Sequence, residues 1–201
     1  MARLEFFFDC SSPWTYLAFH KIEEVAREGG ATLVWKPILV GGVFNAVNPA
    51  VYESRANPVP ARAAYHGKDL ADWARLYGLR IGWPSVFPVN SVKAMRGAFV
   101  ALEQGCLPDY ARAVFESYWG DLQDISQEAV LEDVVRKVGL DRDDYFTKIA
   151  SPPYKERLRA STEELVARGG FGSPTIFVDS DDMYFGNDRL VLVRAALARR
   201  A

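Results

Sequence analysis

Hydrophobic positions change their period several times along this chain, and the changes mark its elements. Leu4-Glu5-Phe6-Phe7-Phe8 is a short, nearly continuous apolar run, which predicts a strand over residues 3–8. From Trp14 onward, apolar residues recur at helical spacing through Leu17, Ala18, Ile22 and Val25, until Gly29-Gly30 stops the pattern. Thr32-Leu33-Val34-Trp35 reads as a second strand. Near the other end, Thr175-Ile176-Phe177-Val178 and Met183-Tyr184-Phe185 predict a hairpin across an acidic turn at 179–182, followed by a helix from about Arg189 to Arg199. Between these ends the pattern is mostly helical. Lys68–Tyr77, Ser91–Gln104, Pro108–Tyr118, Gln127–Val138 and Pro152–Arg168 are amphipathic stretches punctuated by Gly or Pro. Asn48–Pro60, with its prolines and asparagines, is the least regular stretch and a candidate lid. The order βαβ, helices, ββα predicts an α/β chain with a discontinuous sheet domain at 1–39 and 169–201 and a helical insertion at 40–168.

Composition narrows the function classes. With 201 residues, 49% of them hydrophobic and 25% charged, the chain can bury a substantial core. A net charge of −2 offers no electrostatic reason to bind nucleic acid, and no apolar run approaches the roughly 20 residues of a membrane span. Glu5 and Asp9 bracket the first apolar stretch, which is therefore a poor signal-peptide core, and a cytoplasmic location is the expectation. Cys10 and Cys106 lie in different elements and form no disulfide framework, as suits a reducing compartment. With only His20 and His66 available, no metal site is expected.

The chemistry concentrates at the first strand-to-helix turn. Ser12 is the expected N-cap and Pro13 the first helical residue. A helix start gathers unpaired N–H groups and about half a positive charge, so an anion beside Ser12 would be stabilised there. Ser12 can serve as a plain cap, as an anion stabiliser, or as both. Ser12-Pro13-Trp14-Thr15 also has the layout of a Cys-x-x-Cys redox motif with hydroxyls at both thiol positions, which argues against dithiol exchange. Cys10, two residues earlier, reads as a small buried hydrophobe.

These residues resemble the 2-hydroxychromene-2-carboxylate isomerase and kappa-class glutathione transferase family, a DsbA-like branch of thioredoxin folds. The resemblance runs through Phe8-Asp9, Ser12–Ala18, Gly41-Gly42-Val43-Phe44, Asp69-Leu70, Trp73-Ala74, Phe87-Pro88 with Asn90, Gly172-Ser173-Pro174-Thr175 and Phe185-Gly186-Asn187-Asp188-Arg189-Leu190. It implies a thioredoxin-like fold with a large all-helical insertion, glutathione as co-substrate, a small aromatic substrate and a homodimer. The reaction it implies is isomerisation by reversible thiolate addition to a conjugated aromatic 2-oxo acid. A kappa-like transferase or peroxidase, or a non-catalytic binding module, are the alternatives.

The resemblance also implies roles for individual residues. Ser12 would donate a hydrogen bond to the glutathione sulfur. Pro174 would be cis, leaving the N–H and C=O of Ser173 to pair with the cysteinyl unit, whatever the side chain at 173. Phe185, Gly186, Asn187 and Asp188 would hold the γ-glutamyl end, although Asn187 and Asp188 also suit ordinary capping of the last helix. Arg189 would orient Asp188 or another acid. Asn57 would contact the tripeptide backbone, and Arg62 stands where the family usually has lysine. Some isomerases of the family place a substrate-binding lysine just after the second strand, where this chain has Phe44. Arg55, Arg62 or Lys93 are then the cations available for a substrate carboxylate. Trp35, Phe44, Trp73, Trp83 and Phe87 are core residues by default, with Phe44 and Phe87, near Asn90, able to line an aromatic pocket.

Overall fold

The computed structural model describes residues 2–200. Strands β1 (Arg3–Phe8) and β2 (Thr32–Pro37) flank helix α1 (Pro13–Glu28), and β3 (Thr175–Val178) and β4 (Asp182–Phe185) form the hairpin before the last helix. The sheet order is β2-β1-β3-β4, with β1 parallel to β2 and antiparallel to β3, and β3 antiparallel to β4. Phe6 pairs with Trp35 on one side and Ile176 on the other. Between β2 and β3 the chain forms α2 (Val40–Val47), α3 (Ala50–Ala56), α4 (Pro60–Tyr77), α5 (Val92–Glu103), α6 (Leu107–Phe115), α7 (Glu128–Lys137), α8 (Arg142–Ala150) and α9 (Pro152–Ala167). Helix α10 (Leu190–Ala198) closes the chain. No helix among the described residues is long and apolar enough to cross a membrane.

β1 is one of the two inner strands, which is why its apolar run is nearly unbroken. Leu4, Phe6 and Phe8 enter the main core with Tyr16, Phe19 and Ile22 of α1. Phe7, on the opposite face of the pleat, packs with Ile38, Val43, Leu165 and Phe177. The main core continues without a break from sheet to helices: Tyr16 stacks on Phe115 at 5.0 Å between ring centres. Glu5 is the buried exception in β1, and its carboxylate is matched by Arg168 at 2.7 Å and Arg3 at 2.8 Å. Arg168 in turn lies 3.8 Å from the ring centre of Phe177.

Five local expectations change. Much of Asn48–Pro60 is helical, because α3 occupies residues 50–56 and Pro60 serves as the first residue of α4, where its missing N–H costs nothing. Helix α4 consequently begins eight residues before Lys68. Helix α8 is added, capped by Asp141, whose side chain accepts from the Asp144 N–H at 2.7 Å. The helix expected to reach Tyr118 changes to a π-helical turn at Glu116–Gly120. Trp83 is 58% exposed rather than core, packing edge-on against Phe87 and Trp119 at the surface.

Candidate active site

Helix α1 starts as the sequence requires. Ser12 has extended backbone angles (φ −107°, ψ 124°), and its hydroxyl oxygen accepts from the Thr15 N–H at 3.3 Å, while Pro13 opens the helix. No acidic residue occupies the first turn of this 16-residue helix, so its positive end meets no carboxylate from within the helix. The Ser12 hydroxyl donates to the Ser173 carbonyl oxygen at 3.1 Å. The Ser173–Pro174 bond is cis, as is Phe87–Pro88.

Thr15 and Ser173 complete a cluster of three hydroxyls. Thr15 Oγ1 and Ser173 Oγ are hydrogen-bonded at 2.8 Å, and the Asp9 N–H donates to Ser173 Oγ at 3.0 Å. The expectation that the Ser173 carbonyl is free and its side chain interchangeable is therefore corrected. Ser12 already engages the carbonyl, and the buried hydroxyl ties the loop to β1 and α1. A carbonyl keeps a second lone pair, so backbone pairing at Ser173 remains open.

Asp9 is the organising residue that the sequence reading passed over. Its carboxylate is fully buried and accepts from the Ser11 N–H (2.9 Å), the Val40 N–H (2.8 Å) and the Ser91 hydroxyl (3.0 Å). One side chain thus fixes the Ser12 turn, the start of α2 and the start of α5. Burial pushes its carboxyl above the usual range, while these hydrogen bonds pull the other way. A charged residue ending an apolar strand was the available signal. Cys10, as expected, is a buried thiol, pushed well up by burial and by Asp9.

On the far side of the cluster, the Gly186 N–H donates to the Pro174 carbonyl at 3.1 Å. Gly186 has φ 105°, a conformation that favours glycine, and a Cβ there would lie 2.8 Å from Asp188 Oδ1. Asn187 and Asp188 lie in a single 3₁₀ turn, Asn187–Arg189, that precedes α10. Asn187 is 4% exposed and its Nδ2 has no hydrogen-bond partner. Asp188 is exposed and paired with Arg189 at 2.7 Å, the orienting contact expected for that arginine.

An aromatic wall stands beside the cluster. Phe185 packs against Gly172, where a Cβ would come within 2.8 Å of its ring, and lies 4.5 Å from Phe171 between ring centres. A Cβ on Gly172 would also lie 3.7 Å from Phe44. Phe87 is 39% exposed and packs on Trp119, whose Nε1–H donates to the Cys10 carbonyl at 2.9 Å. Asn57, Arg62 and Asn90 are all exposed. Asn57 ends α3, Arg62 lies in the first turn of α4, and the Asn90 side chain accepts from the Val92 N–H at the start of α5. No direct bond links these three to the hydroxyl cluster among the described residues.

The model of a DSBA-like thioredoxin domain matches residues 3–198. The chain belongs to the DsbA-like thioredoxin family. Within this DsbA-like family it groups with 2-hydroxychromene-2-carboxylate isomerases and kappa-class glutathione transferases. It is 30% identical over 198 residues to the 2-hydroxychromene-2-carboxylate isomerase of Pseudomonas putida, covering 98% of this chain and 94% of that one. Glutathione S-transferase kappa 1 of Homo sapiens is 25% identical over 213 residues, covering 98% and 91%. A solved 2-hydroxychromene-2-carboxylate isomerase superposes with a TM-score of 0.83 at 28% identity, covering 98% of this chain and 95% of that one. In this DsbA-like protein, hydroxyls therefore stand at both ends of the family's redox tetrad, and the fold is kept around them.

Proposed function

We propose that this protein is a glutathione-dependent isomerase of the 2-hydroxychromene-2-carboxylate isomerase type, acting on a conjugated aromatic 2-oxo acid or its cyclic hemiketal. The observation that carries the reading is the Ser12 hydroxyl at a helix start with no acid in its first turn, bonded across to Ser173. Asn187 adds to it, because an orphaned, buried amide N–H beside the last helix suits a ligand that carries carboxylates. Ser12, Asn57, Ser173, Pro174, Phe185, Gly186, Asn187 and Asp188 would hold glutathione. Phe44, Phe87, Arg62 and Asn90 border the space left for substrate.

Bound glutathione would supply a thiolate whose reversible addition turns a C=C bond into a single bond free to rotate. The protein's own work is electrostatic. Ser12 turns its proton from the Ser173 carbonyl toward the sulfur, and the α1 terminus favours the anionic form. Ser12 is not the nucleophile, because its hydroxyl is bonded to a carbonyl and an amide N–H, with no histidine or carboxylate bonded to it among the described residues. A homodimer in a reducing compartment goes with this reading, in which Cys10 and Cys106 stay unpaired.

The test is calorimetry with glutathione, followed by product identification with 2-hydroxychromene-2-carboxylate. Saturable binding and an isomerised acid, with glutathione unconsumed, is the expected result. An accumulating conjugate would make the protein a kappa-like transferase instead. Folded protein with no binding at millimolar glutathione would overturn the reading.

A further inference from the structure

Arg55 on α3 places its guanidinium over two aromatic rings. Its central carbon lies 5.3 Å from the ring centre of Phe44 and 5.3 Å from that of Phe87. These rings come from separate parts of the chain, Phe44 from α2 and Phe87 from the loop before α5. No carboxylate pairs with Arg55 among the described residues, whereas Arg75, Arg159, Arg168 and Arg194 all have acidic partners. The charged or titratable groups around Arg55 are the phenols Tyr52 and Tyr118. Both are occupied: Tyr52 donates to Asn45 Oδ1 and Tyr118 to the Val86 carbonyl, each at 2.8 Å.

Two threads of contact tie this clamp to the hydroxyl cluster. Phe44 reaches Gly172, the neighbour of Ser173. Phe87 packs on Trp119, which is bonded to the Cys10 carbonyl two residues before Ser12. The other cations near the site are less suited. Lys93 is committed to Glu128 at 2.7 Å, and Arg62, exposed as Arg55 is, has no aromatic contact among the described residues.

Attraction to ring faces uses none of the five guanidinium N–H donors, so the planar fork of Arg55 is left for an oxyanion. Partial burial also disfavours its unpaired charge and pulls its pKa below the ordinary arginine value, a cost that an arriving anion relieves. One cation beside two rings fits a planar aromatic ring bearing a single carboxylate.

We propose that Arg55 is the carboxylate receptor of the substrate site, holding a planar aromatic acid with its ring against Phe44 and Phe87. The inference rests on the isomerase reading for the identity of the reaction, but the binding it describes stands apart from turnover. It also makes Arg55 a specificity residue, favouring aromatic acids over neutral aromatic electrophiles.

The probes are coumarin-3-carboxylate and its uncharged 3-carboxamide, titrated by quenching of tryptophan fluorescence against the wild-type protein and against Arg55→Gln and Arg55→Lys. The wild type is expected to bind the acid at least about tenfold tighter than the amide, the scale of a charge-assisted hydrogen bond. Arg55→Gln should erase that preference without changing amide affinity, and Arg55→Lys should restore part of it. Helix α3 has no buried residue, so the variants keep their fold, which circular dichroism checks. Wild type with no preference, or Arg55→Gln with the preference intact, overturns the proposal. If the preference depends on Arg55 while the wild type isomerises nothing with glutathione, the reaction reading fails and the acid site stands. In an active enzyme, Arg55→Gln raises KM for the acid by a similar factor and leaves the calorimetric glutathione affinity in place.

Discussion

Replacing Ser12 with alanine isolates what its hydroxyl does. The variant loses the acceptor for the Thr15 N–H and the donor to the Ser173 carbonyl. Loss of an N-cap costs about 0.5–2 kcal/mol of stability, which leaves the fold in place. The chemical effect is a difference between two hydrogen bonds. A bond to an ion contributes about 1.5–3 kcal/mol, but the hydroxyl must first release a neutral bond to Ser173 worth about 1 kcal/mol. The net preference for thiolate is then about 0.5–2 kcal/mol. This raises the bound thiol's pKa by about 0.4–1.5 units in the variant. Turnover near neutral pH should fall about 2- to 30-fold, and part of the loss should return as pH rises. A hydroxyl free of Ser173 would instead imply a loss of about 10- to 150-fold. Ultraviolet titration of the thiolate in the wild-type and Ser12→Ala glutathione complexes reads the shift directly. Superimposable curves would reduce Ser12 to a helix cap and refute the activation argument.

Glu5 and Cys10 give two further tests. Burial pushes the Glu5 carboxyl up, but the bonds from Arg168 and Arg3 outweigh it and hold the group below its ordinary 4.5. A depressed carboxyl contributes stability above that unfolded value, and the contribution is lost as pH falls through the lower folded value. Glu5→Gln should therefore destabilise the protein by about 1–3 kcal/mol at neutral pH, with the gap narrowing below about pH 4.5 in urea melts. A gap that stays constant with pH would contradict the ion-pair account. Burial, then the neighbouring Asp9, holds the Cys10 thiol well above 9.0, and burial raises the half-buried Cys106 as well. In native protein at about pH 8, a disulfide reagent should modify Cys106 while Cys10 reacts only after unfolding; equal native rates would refute its burial.

Legibility followed burial. β1 and α1 could be read because Leu4, Phe6, Phe7, Phe8, Leu17, Ile22 and Val25 are all buried and so print their periods on the sequence. Helix α3 buries no residue and α8 buries only Tyr145 and Ile149, so neither offered a stripe to detect. The Ser12 cap was visible from Ser-Pro alone, whereas the cis bond at Pro174 was legible only through family resemblance. The bonds of Asp9 to Val40 and Ser91 lie beyond any local pattern, because they join residues 31 and 82 positions apart. The same holds for Arg55, whose meaning comes from two distant rings.

The bond between Thr15 and Ser173 makes two remote positions epistatic. Changing Ser173 alone strands the buried Thr15 hydroxyl at about 1–3 kcal/mol, whereas changing Thr15 leaves Ser173 Oγ its bond from the Asp9 N–H. The hydroxyl pair therefore couples the tolerance of a helix turn to that of a loop 158 residues away, so the effect of a substitution at 173 depends on which residue stands at 15.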